Sequence, residues 1–216
     1  MINPYSIKLV TLPGPGYMAV ELSSEELDPI KKEIKKISSN FNNFKKANHK
    51  LAGNIKKEYV LEDSRLHQEK FIVPLIDKYI DHFKYKQYNR ELQKIFLKDT
   101  WVNFQKKHEF NPLHDHEGMF SYVIWINIPY TEISERKMMP EVPVGTLCSG
   151  FFAFHYVNAL GEMECEGIPA DKKFEGKMLL FPSKLHHIVY PFYSSDDYRI
   201  SVSGNFYLTN KNASSK

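Results

Sequence analysis

The sequence predicts an α+β protein whose second half is a jelly roll, a double-stranded β-helix. Two observations carry this. From about Lys94 the chain breaks into short β-rich runs, IFLKDTWVNFQ, FSYVIWINIP, GTLCSGFFAFHYVN, KMLLFPS, HHIVYPF and YRISVSGNFYL, punctuated by Gly, Pro and Asn. That texture belongs to antiparallel sandwiches and barrels and not to βαβ units. Ahead of these runs lie two stretches with apolar residues at helical spacing. A chain of 216 residues, 42% of them hydrophobic, can bury one sizeable core. The length prior therefore favours a single domain over residues 1–216, with an N-terminal hairpin and supporting helices in 1–93, the jelly-roll core in 94–209 and a disordered tail in 210–216.

In order along the chain, SIKLV and YMAVEL are short β-like runs broken by Pro13, Gly14, Pro15 and Gly16, which predicts a hairpin or edge pair. Ser23 stands three residues before Glu26, a capping box, and Leu27, Ile30, Ile34 and Ile37 follow on one helical face. Lys31, Lys32, Lys35 and Lys36 form the solvated face of that helix. Residues 38–62 are polar and carry no countable period. A second helix starts at Asp63 or Ser64 and runs through Leu66, Ile72, Leu75, Ile76, Tyr79, Ile80 and Phe83, with a bend expected at Pro74. Within the β-rich half, residues 138–144 and 158–173 are the expected variable loops at the mouth of the roll.

Composition excludes several function classes. A net charge of +3 and a pI near 8.6, with lysines scattered rather than set in a stripe with aromatics, argue against nucleic acid. Cys148 and Cys165 make no disulfide framework and have no zinc-finger spacing, so they read as reduced thiols. The start lacks a secretory pattern and no run has membrane-spanning length. The expectation is a soluble, cytoplasmic protein without a membrane partner.

The chemistry concentrates in NPLHDHEGMFSYVIWINIP, residues 111–129. In an extended segment His114 and His116 project to one side while Asp115 points away, and neutral imidazoles at that spacing suit Fe, Zn, Cu or Ni. A third ligand is available at His186 and His187, of which at most one can reach the same ion, because strand neighbours point oppositely. In YRISVSGNF, Arg199 and Ser201 share a strand face. The guanidinium fork fits a carboxylate and the hydroxyl adds a second donor; the plainer alternative is an ion pair of Arg199 with Asp196 or Asp197. Trp101, Trp125, Phe151, Phe152 and Phe154 read as core aromatics.

Three motifs in order, N-P-x-H-x-H before S-x-V-x-W, then F-P-S-x-L-x-H, then R-I-S-x-S-x-N, carry a family resemblance from about Trp101 to Phe206. The chain resembles the Fe(II)/2-oxoglutarate-dependent dioxygenases, and more narrowly the prolyl-hydroxylase-like oxygenases of bacteria and marine bacteriophages. The resemblance implies a jelly roll braced from outside by the N-terminal helices. It implies iron held by His114, His116 and His187, with His187 chosen over His186 by the second motif. Arg199 and Ser201 would hold the far carboxylate of 2-oxoglutarate, with Asn103 and Tyr122 lining the same pocket. The implied activity is O₂-dependent hydroxylation of a small-molecule or peptidyl substrate, with Fe(II) as cofactor, 2-oxoglutarate as cosubstrate and ascorbate as reductant, in the host cytoplasm for a phage-encoded protein.

The chain departs from the family in one respect. Most members use two histidines and a carboxylate; the carboxylate position here holds His116. Asp115 or Glu117 could take that place only if the backbone turns differently, so the expected site has three histidines, or two with an open position. The alternative functions are a binding or structural module with a structural metal site, and a three-histidine cupin-like enzyme that uses no 2-oxoglutarate.

Overall fold

The computed structural model describes residue 14 and residues 16–48, 51–85, 88–143 and 145–211. Among the described residues, ten strands form two antiparallel sheets. The larger has six strands, in the order β1 (Met18–Glu21), β8 (Lys177–Pro182), β5 (Phe120–Asn127), β10 (Arg199–Asn210), β3 (Gln93–Gln105) and β2 (Glu58–Val60). The smaller has four, in the order β4 (Asn111–His114), β9 (His186–Val189), β6 (Phe151–Val157) and β7 (Met163–Pro169).

Strand alternation sorts the apolar residues into two cores. On β5 and β8, Tyr122, Ile124, Met178 and Leu180 face the helices α1 (Ser24–Ser39) and α2 (Arg65–Phe83), where Ile30, Ile37, Ile72 and Ile76 meet them. Their strand neighbours Val123, Trp125, Leu179 and Phe181 face the smaller sheet, against Phe152 and Phe154. Both faces of the six-stranded sheet are thus buried, with one core under the helices and one between the sheets. Each fully buried isoleucine of the helix layer contributes about 1.5–3 kcal/mol relative to exposure.

The α1 capping box is present: Ser23 N donates to Glu26 Oε2 at 2.7 Å and Glu26 N to Ser23 Oγ at 3.3 Å. The start of α2 is built differently from the expectation. Ser64 precedes it without a side-chain cap bond to the helix. Instead Glu33, reaching over from α1 and only 6% exposed, accepts from the backbone N–H groups of Glu62, Asp63 and Ser64 at 2.8, 3.0 and 2.8 Å and from Ser64 Oγ at 2.6 Å. An anion there also favours the positive end of the helix dipole. Leu66, expected on the apolar face, is 66% exposed, and α2 continues through Pro74.

Other expectations change at the edges. YMAVEL does form a strand, but β1 pairs with β8; the SIKLV run lies outside the described residues. The polar stretch 38–62 contains β2, and β1 and β2 carry the N-terminal part of the chain into the larger sheet. The expected loop 158–173 is a short turn followed by β7. Of the expected tail, Asn210 ends β10 and residues 212–216 lie outside the described residues. A short helix, α3 (Glu132–Lys137), precedes the 138–143 loop.

Candidate metal centre

Strand β4 runs beside β9 with His114 opposite His187. Beyond the end of β4, His116 N donates to Ser183 O at 2.9 Å, which ties the chain after the strand to the β8–β9 turn. These two constraints bring three imidazoles together: the ligand atoms of His114, His116 and His187 lie within 4.8 Å of one another. His187 is 3% exposed and stacks on Phe152, whereas His186 points outward. The Nδ1 atoms of His114 and His187 sit 2.7 and 3.0 Å from the carbonyls of Pro112 and Leu185. A proton on each Nδ1 serves the carbonyl and leaves each Nε2 lone pair free for an ion.

Electrostatics prepares the same state. Burial, with repulsion from His114 second, holds His116 down at about 4. Burial also lowers His114 and, more strongly, His187. All three rings are neutral at physiological pH, the form in which imidazole binds metal. The nearby carboxylates do not join them. Asp115 pairs with Lys184 at 3.1 Å, and exposed Glu117 is turned to Tyr207. The donor set is therefore three imidazoles, which fits a borderline divalent ion such as Fe(II) with coordination positions left over.

The sequence motifs meet beneath the histidines. Ser121 Oγ on β5 lies 2.9 Å from Ser183 Oγ and donates to Asn205 Oδ1 on β10 at 2.8 Å. This buried knot ties together one residue from each of three motifs, and Ser183 is the residue whose carbonyl holds His116.

The histidines open onto a cavity of about 120 Å³ whose lining includes Trp101, Asn103, Gln105, Arg199, Ser201 and Ser203. Arg199 is 2% exposed. Its Nε and Nη2 donate to Gln105 Oε1 at 3.1 and 2.6 Å, Nη1 to the Tyr130 hydroxyl, and Nη2 also to Tyr190 O at 2.9 Å. Every partner is neutral. Asp196, the alternative partner, pairs with Lys107 instead, and none of the ion pairs among the described residues includes Arg199. A buried guanidinium without a counter-ion is costly, and this one borders a cavity of carboxylate size. Ser201 joins it on the cavity wall, accepting from Asn103 Nδ2 at 3.3 Å.

Tyr122 meets one part of the expectation and not the other. It borders the cavity, but its ring lies in the helix-side core, and its hydroxyl donates to Gln68 on α2 and sits 3.2 Å from Thr100 Oγ1. Gly204 makes this possible, since a Cβ there would fall 2.7 Å from the ring and its oxygen. Gln105 and Tyr130, which hold Arg199, escaped the sequence reading. Gln105 sits two residues past Asn103 on the same strand face and could have been found by parity; Tyr130, beyond the end of β5, gave no signal.

Residues 99–205 match the model of the family described as "Putative 2OG-Fe(II) oxygenase". No curated protein sequence matches the chain. Among solved structures, a prolyl-4-hydroxylase from Pseudomonas putida is similar at 14% identity and a TM-score of 0.52, over 89% of this chain and 92% of that one. A prolyl hydroxylase from Trichoplax adhaerens, solved with a peptide fragment of hypoxia inducible factor, is similar at 14% identity and 0.52, over 91% and 83%. A non-haem alpha ketoglutarate dependent carbocyclase from nogalamycin biosynthesis is similar at 11% identity and 0.53, over 89% and 79%. At these identities the likeness is one of fold.

Proposed function

We infer that this chain, which over residues 99–205 belongs to the 2OG-Fe(II) oxygenase family, is a non-haem iron dioxygenase that couples oxidative decarboxylation of 2-oxoglutarate to hydroxylation of a second substrate. The observation that carries this reading is the presence, around one cavity, of three neutral imidazoles and a buried guanidinium that pairs with no carboxylate among the described residues. His114, His116 and His187 would hold Fe(II), and Arg199 with Ser201 the far carboxylate of the cosubstrate. Bound Fe(II) supplies the O₂ chemistry by which a substrate C–H and 2-oxoglutarate become C–OH, succinate and CO₂.

The protein's own residues bind, orient and exclude water. Gln105 and Tyr130 fix the guanidinium plane, so a carboxylate meets a preset fork rather than a mobile charge. Trp101, Trp125, Phe152 and Phe181 wall the cavity with apolar surface, which strengthens each polar contact inside it. The Nδ1 bonds of His114 and His187 fix ring orientation.

The second substrate is a small molecule or a peptide; one similar structure holds a peptide. Ascorbate is the expected reductant. The free thiols Cys148 and Cys165 support a reducing, cytoplasmic setting, the host's where a bacteriophage carries the gene. No described helix is long and apolar enough to cross a membrane.

The test is anaerobic reconstitution with Fe(II), ascorbate and 2-oxoglutarate, then oxygen with candidate substrates. Succinate above a His187→Ala control supports the reading, and none with any candidate counts against it. The three-histidine donor set favours one rival, a cupin-like enzyme without cosubstrate. In that case Arg199→Ala keeps activity, whereas here it abolishes the thermal shift caused by 2-oxoglutarate.

A further inference from the structure

Beside the cavity the six-stranded sheet carries a carboxyl group that the chemistry above leaves unused. Glu58 on β2 is fully buried, at 0% exposure, and is paired in register with Asn103 of β3. Directly opposed residues of an antiparallel pair share a face with Cβ atoms about 4.5–5.5 Å apart. Glu58 therefore lies on the cavity side of the sheet, next to Asn103. Its Oε2 accepts from Asn48 Nδ2 at 3.0 Å. Among the described residues its Oε1 has no partner, and neither has Asn103 Oδ1.

Topology puts the unpartnered oxygens of Glu58 and Asn103 within reach of one another. Strand β3 lies between β10 and β2. Asn103 Nδ2 donates toward β10, to Ser201 Oγ, so the other arm of the amide is turned toward β2. Two buried acceptors on paired residues without a donor are both costly. One proton satisfies both.

We propose that Glu58 is held as the neutral carboxylic acid and donates through Oε1 to Asn103 Oδ1, which makes it a positioning residue that keeps the Asn103 amide N–H on Ser201. The consequence falls on Ser201. Because its oxygen accepts from Asn103, its own hydroxyl proton is left for a ligand carboxylate on Arg199. This step rests on the cosubstrate reading above; the protonation of Glu58 does not.

The surroundings agree. Asn48 from the segment before β2, Asn103 from β3 and Glu109 from the β3–β4 turn face Glu58, and of these only Glu109 is charged. Glu109 is itself occupied by the backbone N–H groups of Lys56 and Lys106, at 3.2 and 2.8 Å. Burial first and the Glu109 carboxylate second raise Glu58 to about 7, and no ion pair among the described residues includes it. The rival arrangement turns the Asn103 amide over, so that Nδ2 faces an ionised Glu58.

The experiment compares wild type, Glu58→Gln and Glu58→Ala as full-length protein loaded anaerobically with Fe(II). Infrared spectroscopy reads the carbonyl band of a protonated acid, and calorimetry reads 2-oxoglutarate binding, both on either side of the Glu58 titration. Wild type is expected to show the acid band on the acid side and lose it as pH rises through about 7, and Glu58→Gln to lack it throughout. Wild-type affinity should fall about tenfold across the same range, the worth of roughly one hydrogen bond. Glu58→Gln should stay tight at both ends and Glu58→Ala weak at both. Absence of the band on the acid side overturns the proposal, whatever the binding data. A band with affinity indifferent to pH and to both substitutions overturns the positioning role. A band with no binding by wild type leaves the proton in place and removes the cosubstrate reading instead.

Discussion

Single residues in this protein act through states that burial imposes. In the metal-free chain His116 is held at about 4 against an ordinary 6.5. Its folded value is depressed, so the stability it contributes is present above 6.5 and is lost as pH falls toward 4. The amount is on the order of 3 kcal/mol. Glu58 runs the other way. Its value is raised from 4.5 to about 7, so the native state holds a proton that the unfolded chain has released, and stability falls as pH rises through that window. The two slopes overlap and partly cancel in wild type. Glu58→Gln should unmask the histidine slope, giving thermal melts of the apo protein that fall more steeply between about pH 6.5 and 4.5 than wild type and lie higher near pH 8; parallel curves would show that Glu58 is ionised in the fold. Arg199→Lys tests the neighbouring claim about shape. It keeps the charge but replaces a fork fixed by Gln105 and Tyr130 with a point donor, and the KM for 2-oxoglutarate in a succinate assay should rise at least about tenfold.

Elements are joined here by buried carboxylates as much as by apolar contact. Glu33 of α1 supplies the cap of α2, so Glu33→Ala should destabilise the protein by about 2–4 kcal/mol in urea unfolding, having left a buried helix start without an acceptor, while Glu33→Gln recovers part of the loss. Glu135 of α3 acts likewise, accepting from Tyr193 N and Ser194 N at 2.8 Å each, which tethers the chain leading to Arg199. Neither role was legible in the sequence, because a glutamate on a helix reads as solvated until a partner arrives from far along the chain. What was legible depends on local pattern. The α1 capping box, the apolar stripe of α1 and the β-rich runs announced their elements, and the His-x-His spacing placed two rings on one side. The misses have physical causes. β7, MECEGIP, alternates charges with small residues and packs only Ile168 into the core. β2 is three residues long and buries its glutamate. Tyr122 sits on a strand with both faces buried, so hydrophobicity could not say which face carried its ring. Arg199 and Ser201 needed only strand parity.

At the scale of the whole molecule, the proposed metal and carboxylate sites belong to different sheets. His114 and His187 lie on β4 and β9 of the four-stranded sheet, while Arg199, Ser201 and Asn103 lie on β10 and β3 of the six-stranded one. A metal ion alone therefore braces only one wall of the cavity, together with the segment carrying His116. A dicarboxylate held at the ion by one end and at Arg199 by the other, as proposed, would span both sheets and resist their separation. Binding to the native state alone stabilises by RT ln(1 + [L]/Kd), about 2.7 kcal/mol at a hundredfold excess over Kd, which corresponds to roughly 5–10 °C for a chain of this size. The expected melts are ordered accordingly. Metal alone gives a modest shift, 2-oxoglutarate alone gives almost none because one of its two anchors is missing, and the two together give more than their sum. Succinate in place of 2-oxoglutarate keeps a carboxylate for Arg199 but is one carbon shorter, with a single carboxylate where the 2-oxo acid end would meet the ion, and should recover only part of the shift. Simple additivity of metal and cosubstrate would mean that the two sites do not share one ligand, and the bridge between the sheets would have to be given up.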